Sequence, residues 1–185
     1  MTDPRDDQAL MLAYAGGDAA AFEILYARHR GGLFRYLVRM IGNRAEAEEV
    51  FQDVWLNLIN ARARYTPAAR FTTYLYTLAH HRAVDQLRRP RLAAQDDADP
   101  ELAAAPAAQQ PDAQAQRAQR VSAALDALAA LPEEQRAAVL LKEYGGFSLA
   151  EVAEATGVKA ETAKSRLRYA YGKLRDIVAA GEHDE

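Results

Sequence analysis

Apolar residues in this chain return every three or four positions and almost never every second one, the signature of helices with one buried face. Within 45–58, Ala47, Val50, Phe51, Val54, Trp55 and Leu58 share one stripe, while Glu46, Glu49 and Asp53 share another. The same period fills most of the stretch from Asp6 to about Arg89, with Gly16-Gly17-Asp18, Gly31-Gly32 and Gly42-Asn43 as expected helix ends. Tyr65-Thr66-Pro67 interrupts it before a further helix expected over Phe71–Arg89. No alternating run is long enough for a strand. The first half reads as all-helical.

From Pro90 to about Gln116 the character changes. Four of the seven prolines (Pro90, Pro100, Pro106 and Pro111) lie here among Ala, Gln and Asp. Such a segment buries too little surface to offset chain entropy, so a flexible acidic linker is expected. Fully extended, it would span about 85–90 Å. Helical spacing resumes near Arg117 with Val121, Leu125, Leu128 and Leu131 on one stripe. Pro132-Glu133-Glu134 opens a helix expected to reach Tyr144 and stop at Gly145-Gly146. Ser148 and Glu151 form a capping-box pattern, Gly157-Val158 a turn, and Ala160 to Val178 a long basic helix. The expected fold is all-α: two small helical domains, 1–89 and 117–185, joined by the linker 90–116.

The 185 residues include no cysteine, which excludes a disulfide framework, a thiolate zinc site and a cysteine nucleophile. No apolar run approaches the roughly 20 residues that span a bilayer. The start, Met1-Thr2-Asp3-Pro4-Arg5-Asp6-Asp7, is acidic and unlike a signal peptide, so a soluble cytoplasmic protein without membrane insertion is expected. The net charge of −3 hides the useful pattern: residues 61–91 carry +6 and 159–175 carry +5 in an otherwise acidic chain. Two separated basic segments suit two contacts with a phosphate backbone.

The second basic segment has the layout of a helix-turn-helix. Small Ala153 lets two helices approach, Gly157 makes the tight turn, and Val152, Val158 and Ala163 close a small core. Lys159, Thr162, Lys164, Ser165, Arg166 and Arg168 then offer phosphate and base-edge donors on an element narrow enough for a major groove. The first basic segment interleaves cations with rings: Arg62, Arg64 and Arg70 flank Tyr65, and Phe71, Tyr74 and Tyr76 precede His80, His81, Arg82, Arg88 and Arg89. That mixture suits unstacked bases and their backbone. Core packing is the expectation for Phe71 and Tyr74; Tyr65, in the break, fits either role.

Taken in order, these motifs resemble a known family. Asp18-Ala-Ala-Ala-Phe22-Glu23, the stretch Asn43 to Leu56 with Glu46, Glu48, Glu49, Gln52 and Asp53, and Phe71-Thr-Thr-Tyr74-Leu-Tyr76 look like region two of a bacterial RNA polymerase sigma factor of the extracytoplasmic-function group. Leu131-Pro-Glu-Glu-Gln135-Arg136 and Thr162-Ala-Lys164-Ser165-Arg166-Leu167 look like its region four. The resemblance implies that Glu46, Glu49, Gln52 and Asp53 grip the polymerase clamp helices. It implies that the break Tyr65–Arg70 captures a base flipped from the minus-ten element, with Arg64, Tyr74, His80, His81, Arg82, Arg88 and Arg89 beside it. Region four would read the minus-thirty-five element through Lys159, Thr162, Lys164, Ser165, Arg166 and Arg168, and its helix near Glu133–Tyr144 would hold the polymerase flap. Implied partners are core RNA polymerase, promoter DNA in duplex and single-stranded form, and an anti-sigma factor; no cofactor is implied.

An enzyme is the first competing class. The chain has no phosphate-binding glycine loop, and adjacent His80 and His81 cannot face one metal ion from a helix. A stand-alone helix-turn-helix repressor or activator is the second. It accounts for the C-terminal half and leaves the acidic stripe, the aromatic-basic block and the linker unused.

Overall fold

A computed structural model describes residues 3–89 and 121–181, with side chains as far as residue 177. The expected linker 90–116, and the onset of the second domain at 117–120, lie outside the described residues. Every regular element described is helical: α1 (Asp7–Ala15), α2 (Ala19–Ile41), α3 (Arg44–Ala61) and α4 (Phe71–Arg88), then α5 (121–129), α6 (Glu133–Glu143), α7 (Leu149–Thr156) and α8 (Ala160–Gly181).

Side chains next to each start explain where the helices begin. Asp6, Asp18 and Asn43 accept hydrogen bonds from the amides of Ala9, Ala21 and Glu46, satisfying first-turn donors that the helix cannot. At α7 the capping box is complete: Ser148 accepts from the Glu151 amide and Glu151 accepts from the Ser148 amide. Gly42 and Gly157 end α2 and α7 at φ of 78° and 66°, where a β-carbon is strained.

Gly31-Gly32 is not a helix end. Helix α2 runs through both without a break. The reason is space rather than turning. A β-carbon at residue 32 would sit 3.1 Å from the Tyr76 hydroxyl, so the bare backbone lets α4 press against α2.

Among the described residues the helices form two groups, α1–α4 and α5–α8, and these share one core. Leu25, Leu33, Leu37, Val54, Leu58, Phe71 and Leu75 fill the first, and Leu140, Leu141, Phe147, Val152 and Leu167 the second. Each such side chain contributes about 1.5–3 kcal/mol through burial. Where the groups meet, the rings of Tyr76 and Phe147 pack edge-on at 5.5 Å. Arg39 lies over the Tyr144 ring at 4.3 Å, and Arg136 donates to the Met40 carbonyl at 2.9 Å. Helix α4 packs directly against α7.

Candidate nucleic-acid and polymerase interface

Three surfaces carry the residues expected to act. On α3, burial of Ala47, Val50, Val54, Trp55 and Leu58 turns the opposite side outward. Glu49, Gln52 and Asp53 are exposed there and Glu46 is half-buried. Leu56, 55 % exposed, lies at the same helical angle as this acidic stripe, a neighbour that the charge pattern alone does not pick out. Carboxylates, an amide and an open leucine on one face suit a basic partner with an apolar centre.

The second surface lies between α3 and α4. A pocket of about 450 Å³ is lined by Asn57, Asn60, Ala61, Arg64, Leu78, His81, Arg82 and Asp85. Residues 57, 60 and 61 of α3 share one helical stripe, as do 78, 81, 82 and 85 of α4, so the two helices build it from facing sides, with Arg64 added from the turn after α3. Asn57 is fixed by donating to the Asp53 carbonyl at 2.8 Å and accepting from Arg82 at 3.2 Å. Leu78 supplies an apolar wall and the other groups supply donors and acceptors. Asn57, Asn60 and Asp85 escape a search for basic or aromatic residues; their spacing opposite Arg64 and Arg82 is the signal that marks them.

The loop after α3 borders this region. Arg62–Arg64 form a single 3-10 turn, and Tyr65 packs edge-on against Tyr74 at 5.3 Å. Both rings are half-buried, and burial raises the pKa of each phenol. Phe71 is fully in the core. Arg64, Arg70, His81, Arg88 and Arg89 are exposed, and Arg82 is half-buried.

His80 is not with them. It shares the stripe of Tyr76 and Ala83, is 8 % exposed, and lies 3.4 Å from the Tyr36 hydroxyl. Burial, with the nearby charges of His81, Arg166 and Arg88, lowers its pKa to about 4, so the ring is neutral at pH 7. The structure thus separates the two adjacent histidines: one inside, one on the pocket rim.

The third surface is α8. Ala163, Leu167 and Ala170 are buried against the rest of the second group, which leaves Lys159, Thr162, Lys164 and Arg168 exposed and Ser165 half-exposed. Arg166 differs from them. Its side chain is 22 % exposed and sits 3.6 Å from Glu134 of α6. Tyr171 donates to Glu143, which ties α8 to α6, and its pKa is pushed up to about 12 by burial and by that carboxylate. Among the described residues no cluster of His, Asp and Glu is arranged to hold a metal ion, and no helix is long and apolar enough to cross a membrane.

Comparison with known proteins gives a consistent picture. Residues 25–92 match sigma-70 region 2, and residues 122–174 match sigma-70 region 4. The chain is 36 % identical over 172 residues to the RNA polymerase sigma factor CarQ of Myxococcus xanthus, covering 91 % of this chain and 95 % of that one. It is 33 % identical over 168 residues to the ECF RNA polymerase sigma factor SigL of Mycobacterium tuberculosis, covering 87 % and 90 %. In fold it resembles CnrH, solved in complex with the cytosolic domain of CnrY, with a TM-score of 0.70 at 22 % identity over 94 % of this chain and 97 % of that one. It also resembles the sigma factor RpoE of Bartonella quintana, solved with the anti-sigma factor NepR, at a TM-score of 0.66 and 18 % identity over 85 % and 96 %.

Proposed function

The chain belongs to the extracytoplasmic-function group of RNA polymerase sigma factors, and from that premise we propose which of its surfaces do the work. As a sigma factor it binds core RNA polymerase and directs transcription initiation at promoters; a stand-alone repressor is not favoured. Residues 1–89 form region two and residues 117–185 region four, with 90–116 as the tether between them. The chain works in the cytoplasm beside its polymerase and performs no bond-making step itself.

The acidic face of α3, Glu46, Glu49, Gln52 and Asp53, takes the clamp helices. Leu56 supplies the apolar part of that contact. Charge-assisted hydrogen bonds to an arginine-rich partner are the interactions such a face favours. Lys159, just before α8, and Thr162, Lys164, Ser165, Arg166 and Arg168 on it read the minus-thirty-five duplex. An anti-sigma protein, the partner named for RpoE of Bartonella quintana, is proposed for this chain as well.

The observation that carries the minus-ten assignment is the pocket between α3 and α4. It is large enough for one unstacked base, has an apolar wall in Leu78, and holds hydrogen-bonding groups of both kinds. Holding a flipped base there offsets part of the unstacking cost, which favours strand opening. Arg64, His81 and Arg82 line it; Tyr65, Arg70 and Tyr74, in and just after the loop that follows α3, and Arg88 and Arg89, at the end of α4, extend the contact to the rest of the strand. His80 packs inside the closed chain against Tyr36, on the side of α4 away from the pocket, and is set apart from the pocket contacts. Permanganate reactivity of the opened strand, measured with reconstituted holoenzyme on a mapped promoter, tests this. Asn60→Ala and Arg82→Ala should each lower opening by about 1–3 kcal/mol equivalent while leaving core affinity unchanged. Unaltered reactivity in both would remove the base from the pocket.

A further inference from the structure

The closed packing of the two helix groups places an acid of one on a cationic spot of the other. Glu151 Oε1 lies 3.2 Å from Arg70 Nη1 and 3.2 Å from Thr73 Oγ1, across 81 and 78 residues of chain. Thr73 is 1 % exposed because α7 covers it, and the Glu151 side chain is only 18 % exposed. Helix α4 begins here with no acid in its first turn and no side-chain cap. Glu151 is therefore the anion that this end of α4 receives, and it comes from the helix-turn-helix. Its carboxyl is held below the usual carboxylate range by the Ser148 amide first, with Thr73 and Arg70 adding to the effect.

An arginine and a hydroxyl converging on one oxygen form the arrangement that binds a phosphodiester. We infer that Arg70 and Thr73 form a binding site for a promoter phosphate, and that in the closed chain Glu151 occupies this site in the phosphate's place. The inference rests on reading Arg70 as a minus-ten contact, and it adds Thr73 to the DNA-binding residues. Geometry requires that the contact open when both promoter elements are bound. Elements at minus ten and minus thirty-five, as the proposed function has them, stand about 25 base pairs apart, or about 85 Å at 3.4 Å per pair. Packed helices such as α4 and α7 are about 8–10 Å apart. Region four cannot sit on α4 and on the upstream element together, so engagement of both elements uncovers Thr73 and frees Arg70. A phosphate then replaces the carboxylate; in the closed chain Thr73 is masked outright, while Arg70, its side chain 66 % exposed, is held by the ion pair alone.

The full chain allows a direct test, because it has no cysteine of its own. Glu23→Cys and Glu154→Cys, both at exposed positions, carry a dye pair that reports separation of the helix groups. A random-sequence single-stranded 20-mer serves as the DNA probe, since phosphate contacts carry no sequence preference. Glu151→Gln keeps a residue type that completes a capping box, so the fold of α7 is retained while the charge is lost. The variant should lengthen the mean dye distance and tighten binding of the 20-mer to the free chain by about two- to fivefold. In holoenzyme, where the groups are already apart, Thr73→Val should weaken binding of the 20-mer and Thr73→Ser should restore it. Unchanged distance and unchanged affinity in Glu151→Gln would overturn the inference, as would opening with no gain in DNA binding. Loss of core polymerase binding by the unmodified chain is a separate result, and would strike the sigma-factor reading instead.

Discussion

Gln8 of α1 donates to the backbone carbonyl of Ala69 at 2.8 Å, joining the first helix to the loop between α3 and α4. The loop has little bracing of its own: Tyr65 donates back to the Arg62 carbonyl and Ala68 to that of Thr66. Beside this link, Asp7 accepts from His29 at 2.8 Å, and the His29 ring packs on Phe71 at 5.3 Å. The first helix thus braces the loop through a side chain of its own.

Gln8→Met keeps the side chain's length and removes the donor. It should lower stability by about 1 kcal/mol and weaken promoter opening several-fold, with core affinity unchanged. Gln8→Lys, which retains a donor, should recover most of the opening. Equal opening by wild type and Gln8→Met in a permanganate assay would show that the loop holds itself.

The two glycines inside α2 make opposite predictions. Alanine in a helix interior usually stabilises by about 0.5–1 kcal/mol over glycine. At residue 31 the new β-carbon meets only the mobile end of Arg35, so Gly31→Ala should raise Tm. At residue 32 it meets the Tyr76 hydroxyl, and Tyr76 is wedged between Tyr36 and Phe147. Gly32→Ala should lower stability by about 1 kcal/mol or more, and adding Tyr76→Phe should relieve the loss. Two equal upward shifts in thermal melts would contradict the close-approach explanation.

Much of this fold is legible in the chain because its signals are local. Ser148 and Glu151 are three residues apart, Gly157 meets its own turn, and the α3 stripe is periodic. The run through Gly31-Gly32 is not legible, because its cause is a tyrosine 44 residues later. The resemblance and the run of basic residues place His80 among the DNA-facing residues, yet Tyr76, His80 and Ala83 follow the helical repeat of a buried face. The packing of Phe147 on Tyr76 and of Glu151 on Arg70 joins residues far apart in sequence, and no periodicity reports such pairs. Of the pocket, Arg64, His81 and Arg82 stand out by charge. Asn57, Asn60 and Asp85 become visible only when the two helices face each other.

His80 gives the closed chain a pH dependence with a defined sign. Its folded pKa of about 4 lies below the ordinary 6.5, so the folded state prefers the neutral ring. That contribution is complete above pH 6.5 and is lost as pH falls from 6.5 through 4. By pH 5.5 the loss is about 1.4 kcal/mol relative to pH 8. Glu151, whose pKa is lowered from 4.5, adds its own loss at lower pH. Thermal melts between pH 8 and 5.5 should show a falling Tm in wild type and a flatter profile in His80→Gln. Parallel profiles for the two would place the dependence elsewhere.

Reversing Glu49 and Asp53 to Lys tests the α3 face. Both are exposed, so far-ultraviolet circular dichroism and Tm should change little. Core polymerase affinity should fall at least tenfold, since like charges replace complementary ones. An unchanged titration would move the clamp contact away from α3.

Run-off transcription with purified core polymerase on fragmented genomic DNA, with start sites read by sequencing, tests the whole account most directly. With this chain added, transcripts should begin at a limited set of positions sharing two upstream sequence elements about 25 base pairs apart, and should vanish with the Glu49→Lys, Asp53→Lys double variant. Transcripts that start at the same places with and without the chain, or binding to duplex DNA with no transcript at all, would contradict it.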